Sequence, residues 1–166
     1  MIKLPKITAP VTAVALVAMS SVFAPAVAEE FFAAKLRGGN ETPVSLSTGG
    51  SGVWGALVSD DETSLTFELR YRGLEGLTGA HIHLGRPGIT GGIVIHFCGT
   101  GGKPACPPSP AVVTGVLTAA DVVALSTQGI AAGDLPAVLE AMRKGDTYVN
   151  VHTATFPGGE IRGQIE

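Results

Sequence analysis

Basic residues are scarce in this chain, which carries 11 Lys and Arg against 14 Asp and Glu over its 166 residues. Without a cationic excess there is little to neutralise a phosphate backbone, so the composition argues against nucleic acid as a partner. A membrane-length apolar run is missing too. The longest, "VTAVALVAMSSVFAPAVA", is interrupted by Ser20, Ser21 and Pro25 and falls short of the ~20 apolar residues that a spanning helix needs. There is no G-x-S-x-G nucleophile elbow and no convincing internal repeat. "GRPGITGG" has neither the strand-to-helix context nor the spacing of a nucleotide phosphate cradle.

What stands at the N-terminus has an order of its own. Lys3 and Lys6 precede the apolar run, which ends in Ala26-Val27-Ala28: basic, then apolar, then a small-residue exit, as in a secretory signal peptide. Cleavage is expected after Ala28. Residues 29–166 are then a single secreted or periplasmic domain with no membrane span, carrying 9 basic and 14 acidic residues, a net of −5. Export also decides how the only two cysteines are read. Cys98 and Cys106 close the Gly/Pro-rich loop "CGTGGKPAC" and are expected to form a disulfide, which oxidising compartments favour. Thiolate metal ligation is the alternative, and the spacing matches no common zinc knuckle.

The remaining pattern is mostly of period two. "GVWGALVSDDETSLTFELRYRGL" reads as a hairpin around Asp60-Asp61-Glu62, with Leu65, Phe67, Leu69 and Tyr71 on one face and Thr66, Glu68, Arg70 and Arg72 on the other. "FFAAKL", "AHIHL", "GIVIHF", "YVNVHT" and "EIRGQI" share this character between Gly/Pro-rich breaks. About seven or eight short strands indicate an all-β fold, an antiparallel sandwich or barrel. One or two short helices are expected before the C-terminal strands, from two candidate segments. One is "LTAADVVAL", with Thr118 and Asp121 as a capping box. The other is "DLPAVLEAMRKG", with Asp134 as cap, a stripe of Leu135, Val138, Leu139 and Met142, and Gly145 as stop.

Of the four histidines, His81 and His83 are two apart in "TGAHIHLGRPG", so on a strand they share one face about 7 Å apart. The alternation of "YVNVHT" puts Tyr148, Asn150 and His152 on one face and Val149 and Val151 on the other. A third imidazole thus projects from a strand distant in sequence, and in a sandwich the two strands can converge. His96 in "IVIHFCG" follows thirteen residues after His83 and is a candidate fourth member. Three or four neutral imidazoles without carboxylate or thiolate suit copper or zinc, and the Irving–Williams order puts Cu(II) above Zn(II). The plain reading is that the histidines hydrogen-bond loops at one end of the fold. Glu160 and Arg162 are read as structural, pairing with each other or with Glu41.

Together, "LRGGNETPV", "GLTGAHIHLGRPGITGGIVIHF", "GVLTAADV" and "YVNVHTATFPGGEIRGQI" resemble the CHRD domain, named after chordin, from about Phe31 to Ile165. The resemblance implies a single all-β domain outside the cytoplasm. A more distant likeness is to the copper half of the Cu,Zn superoxide dismutases, carried by "GAHIHLG" and the later "VNVHT…PGG", and it implies a Greek-key sandwich. It places His81, His83 and His152 at copper-ligand positions and His96 loosely at the metal-bridging one. The chain departs from those enzymes in lacking the zinc-binding cluster and the final-strand cysteine, and in having Glu160 where they have arginine. Three readings follow: an exported copper-binding domain, a copper-dependent dismutase-like enzyme, and a metal-free module for an envelope or extracellular protein partner.

Overall fold

Period-two alternation turns into eight strands in the computed structural model, which describes residues 29–166. The expected signal peptide, residues 1–28, lies outside the described residues. The strands are β1 (Phe31–Arg37), β2 (Ser51–Val58), β3 (Ser64–Arg72), β4 (Leu77–Leu84), β5 (Gly92–Cys98), β6 (Ala111–Thr118), β7 (Thr147–Thr153) and β8 (Ile161–Gln164), with helix α1 (Leu135–Arg143) between β6 and β7. All strand pairings are antiparallel. The order β5-β4-β7-β8-β1-β2-β3-β6 makes one sheet that curls into a nearly closed barrel, as the all-β expectation required.

One face of each strand fills the barrel. Leu36, Trp54, Leu69, Ile82, Val149 and Ile161 are all buried there, and Phe97 packs between Trp54 and Phe67 with ring centroids 6.2 and 4.6 Å away. At about 25 cal/mol per Å² of apolar surface removed from water, this interior is the main source of stability. Helix α1 follows its sequence signals. The Asp134 carboxylate accepts from the Ala137 amide at 3.1 Å, the expected stripe of Leu135, Val138, Leu139 and Met142 is buried, and Gly145 leaves the helix at φ +69°. Cys98 and Cys106 form the expected disulfide. Among the described residues, no helix is long and apolar enough to cross a membrane.

Two expectations are corrected. The helix read over "LTAADVVAL" is absent: β6 runs to Thr118, a single 3-10 turn follows at Ala119–Asp121, and Val122 pairs with Ile95 as an isolated bridge. The capping box is real, with the Thr118 amide donating to Asp121 at 2.8 Å. It caps one turn only, because the β-branched Val122 and Val123 go on extended beside β5, where the Val123 amide donates to the Val94 carbonyl. Glu160 and Arg162 do not pair either. The Glu160 carboxylate accepts from the Thr153 hydroxyl at 2.8 Å, and the Arg162 guanidinium lies 3.5 Å over the Tyr148 ring.

Candidate metal centre

The strand register brings the histidines together. His81 faces Asn150 and His96, His83 faces Tyr148, and Gly79 faces His152 across β4, β5 and β7. These side chains project from the outward face of the barrel and are covered by the loops after β4, β5 and β7. His81 lies 5.5 Å from His83 and 4.8 Å from His152 between ring centroids, and His83 lies 5.7 Å from His152. One ring nitrogen from each of His81, His83 and His152 lies within 4.8 Å of the other two. His96 is outside this trio, its ring 4.9 Å from that of His81.

Each loop contributes one oxygen that fixes one ring. His83 Nδ1–H donates to the Gly91 carbonyl and His152 Nδ1–H to the Pro157 carbonyl, both at 3.0 Å. A carbonyl only accepts, so in the neutral rings both Nε2 atoms are bare lone pairs. His81 Nε2 lies 2.6 Å from the Thr100 hydroxyl, which lies 2.8 Å from His96 Nδ1. The chain closes if His81 Nε2–H donates to Thr100 and Thr100 donates to His96, leaving His81 Nδ1 bare as well. His81 Nδ1, His83 Nε2 and His152 Nε2 are indeed buried with no hydrogen-bond partner. Leaving a polar group so placed costs about 1–3 kcal/mol each, a cost that coordination of an ion would remove.

Charge cannot relieve it. Burial pushes the His81 imidazole down to about 3, helped by the neighbouring His152, His83 and His96. Burial pushes His83 down to about 4 against its bond to Gly91, and it also lowers His152. Near neutral pH the trio is therefore an uncharged set of nitrogen donors. A tetrahedral metal held about 2.0–2.1 Å from three nitrogens wants them about 3.5 Å apart, so a pair 4.8 Å apart must close by roughly 1.3 Å.

The surroundings are tightly specified. A Cβ on Gly79 would fall 2.9 Å from the His81 ring, and one on Gly101, at φ +62°, 2.4 Å from His96. Tyr148 stacks on His83 at 4.8 Å and 9° under the buried Arg162. Next to them Asn150 donates to the buried Glu41 at 2.6 Å, and burial raises that carboxyl to about 6 against the pull of Asn150 and Arg162. Thr100, Gly91 and Pro157 carry no sequence signal for these roles, since their oxygens reach the rings only through the folded loops.

A family model described as CHRD domain matches residues 32–165. No curated protein and no solved structure matches the chain.

Proposed function

The chain belongs to the CHRD domain family, a domain of extracellular type, and from that premise we propose that it is an exported copper-binding protein. His81, His83 and His152 hold the ion through Nδ1, Nε2 and Nε2. The observation that carries this reading is the set of three buried, unpartnered ring nitrogens on one uncharged histidine trio. The donor set is all imidazole, which suits copper and zinc alike, and the Irving–Williams order puts Cu(II) above Zn(II). The Gly91 and Pro157 carbonyls and the Thr100 hydroxyl then act as the outer partners that orient each ligand. His96 serves the site through Thr100.

A metal-free interaction module is the second reading, since those same hydrogen bonds tie three loops to two strands with no ion. The dismutase alternative gains no observation of its own: Glu160, where those enzymes carry arginine, is buried and bonded to Thr153.

Dialysis of residues 29–166 against Cu(II) and Zn(II), followed by metal analysis and thermal unfolding, separates these readings. The expected result is one equivalent of copper and, at a hundredfold excess over Kd, about 2.7 kcal/mol of added stability. No bound copper and an unchanged unfolding curve would leave the metal-free module. Superoxide consumption beyond that of free copper would be needed for the enzyme.

A further inference from the structure

The opposite part of the sheet is left uncovered by the described residues. Among the described residues, five of the seven large apolar side chains that stand exposed are on the outward face of β1, β2, β3 and β6: Phe31 (61 %), Val53, Leu57, Val112 and Val116 (58 %). Four of the nine cations from residue 29 onward, Lys35, Arg37, Arg70 and Arg72, are on the same face. Shallow clefts of about 500 and 690 Å³ run across it.

The register sorts these residues into rows. Phe31, Leu57, Thr66 and Val116 align across the four strands, then Lys35, Val53, Arg70 and Val112, then Arg37, Ser51 and Arg72. Equivalent positions are about 7 Å apart along a strand, and neighbouring strands about 4.8 Å apart. An apolar row thus lies about 14 Å from a basic one. Arg70 is held by two parallel hydrogen bonds to the Glu68 carboxylate on its own strand, so it is neutralised locally. Among the described residues, Lys35, Arg37 and Arg72 have no carboxylate partner. Arg72 is steered by its bond to the Ser51 hydroxyl.

We propose that this face docks on anionic lipid membranes, seating Phe31, Leu57 and Val116 at the boundary between headgroups and acyl chains and Lys35, Arg37 and Arg72 among the lipid phosphates. Charge complementarity selects the occupant: the chain is net acidic, yet this face gathers four cations against one carboxylate, Glu68, which leaves three cations unpaired among the described residues. Apolar side chains beside cations are what an anionic bilayer surface rewards. A second copy of the chain is disfavoured, because face-to-face stacking brings the cations of both copies together. An acidic polysaccharide would engage the cations and leave the apolar row without a role. The copper site is not involved.

Flotation of residues 29–166 with vesicles of phosphatidylcholine alone, or of phosphatidylcholine mixed with phosphatidylglycerol, tests this. Circular dichroism checks that each variant is folded, and all the substituted side chains are exposed. Binding to the mixed vesicles and not to the neutral ones is expected. Each cation near an anionic surface contributes about 1 kcal/mol, roughly fivefold, so combining Lys35→Gln, Arg37→Gln and Arg72→Gln should weaken binding about a hundredfold. Combining Phe31→Ser with Val116→Ser should weaken it further. Equal binding to both vesicle types, or unchanged binding by the triple variant, would overturn the proposal. So would full competition by soluble alginate together with indifference to Phe31→Ser and Val116→Ser, which would assign the face to a polysaccharide.

Discussion

Two outward faces of one barrel are treated in opposite ways. On β4 and β7 the outward side chains are histidine, asparagine and tyrosine, and loops close over them until His81, His83 and Asn150 are buried. On β1, β2, β3 and β6 the outward face carries exposed apolar and cationic side chains, and none of the described residues covers it. The interior uses only one face of each strand, so the second face is free to carry other chemistry. Covering that face raises the cost of every unpaired polar atom, because water no longer satisfies it. Three bare nitrogens under loops therefore ask for an ion, whereas exposed valines and arginines ask for a surface.

The largest expected effect falls on the covered face. His152→Ala should lower copper affinity by more than about a hundredfold, since losing even an outer partner of a ligand costs 10–100-fold. The fold should persist, because the barrel interior is untouched. Thr100→Val sharpens the comparison: it removes the hydroxyl that orients His81 and should weaken copper by about 10–100-fold without changing the number of bound nitrogens. Equilibrium competition with a chelator measures both.

Acid should find the same face. In the metal-free protein His81 and His83 are lowered to about 3 and about 4, and His152 is lowered as well, from an ordinary 6.5. The unfolded chain then binds more protons between about 6.5 and 3, so stability is complete above 6.5 and falls as pH drops through that window. Glu41, raised to about 6, acts the other way, gaining stability as pH falls from about 6 towards 4.5. His96 is lowered too, so one carboxyl opposes four imidazoles and denaturant midpoints should decline on acidification. The smallest effect belongs to the bare face, where Val116→Thr should change unfolding stability by less than about 0.5 kcal/mol.

The same contrast explains what could be read from the residues. Strands such as β3 were legible because Leu65, Phe67, Leu69 and Tyr71 alternate with polar neighbours. "AVVTGVLT", the strand β6, was not: Val112 and Val116 point outward, which erases the alternation, and the Thr118–Asp121 box at its end mimics a helix start. The trio His81, His83 and His152 was legible from strand phase alone. Thr100 was not, because its hydroxyl reaches two imidazoles only through the loop closed by Cys98–Cys106. The stacking of Tyr148 on His83 needs the register between β4 and β7, and Arg162, expected to pair with a carboxylate, instead covers that tyrosine.

The most direct measurement is a Cu(II) titration of residues 29–166 followed by electron paramagnetic resonance, which counts coordinated nitrogens. One equivalent of copper with at least three nitrogens, lost in both His81→Ala and His152→Ala, is the expected result. Copper that binds with the same stoichiometry and nitrogen count in those variants, or no tight copper at all, would contradict the assignment of the histidine trio as a metal centre.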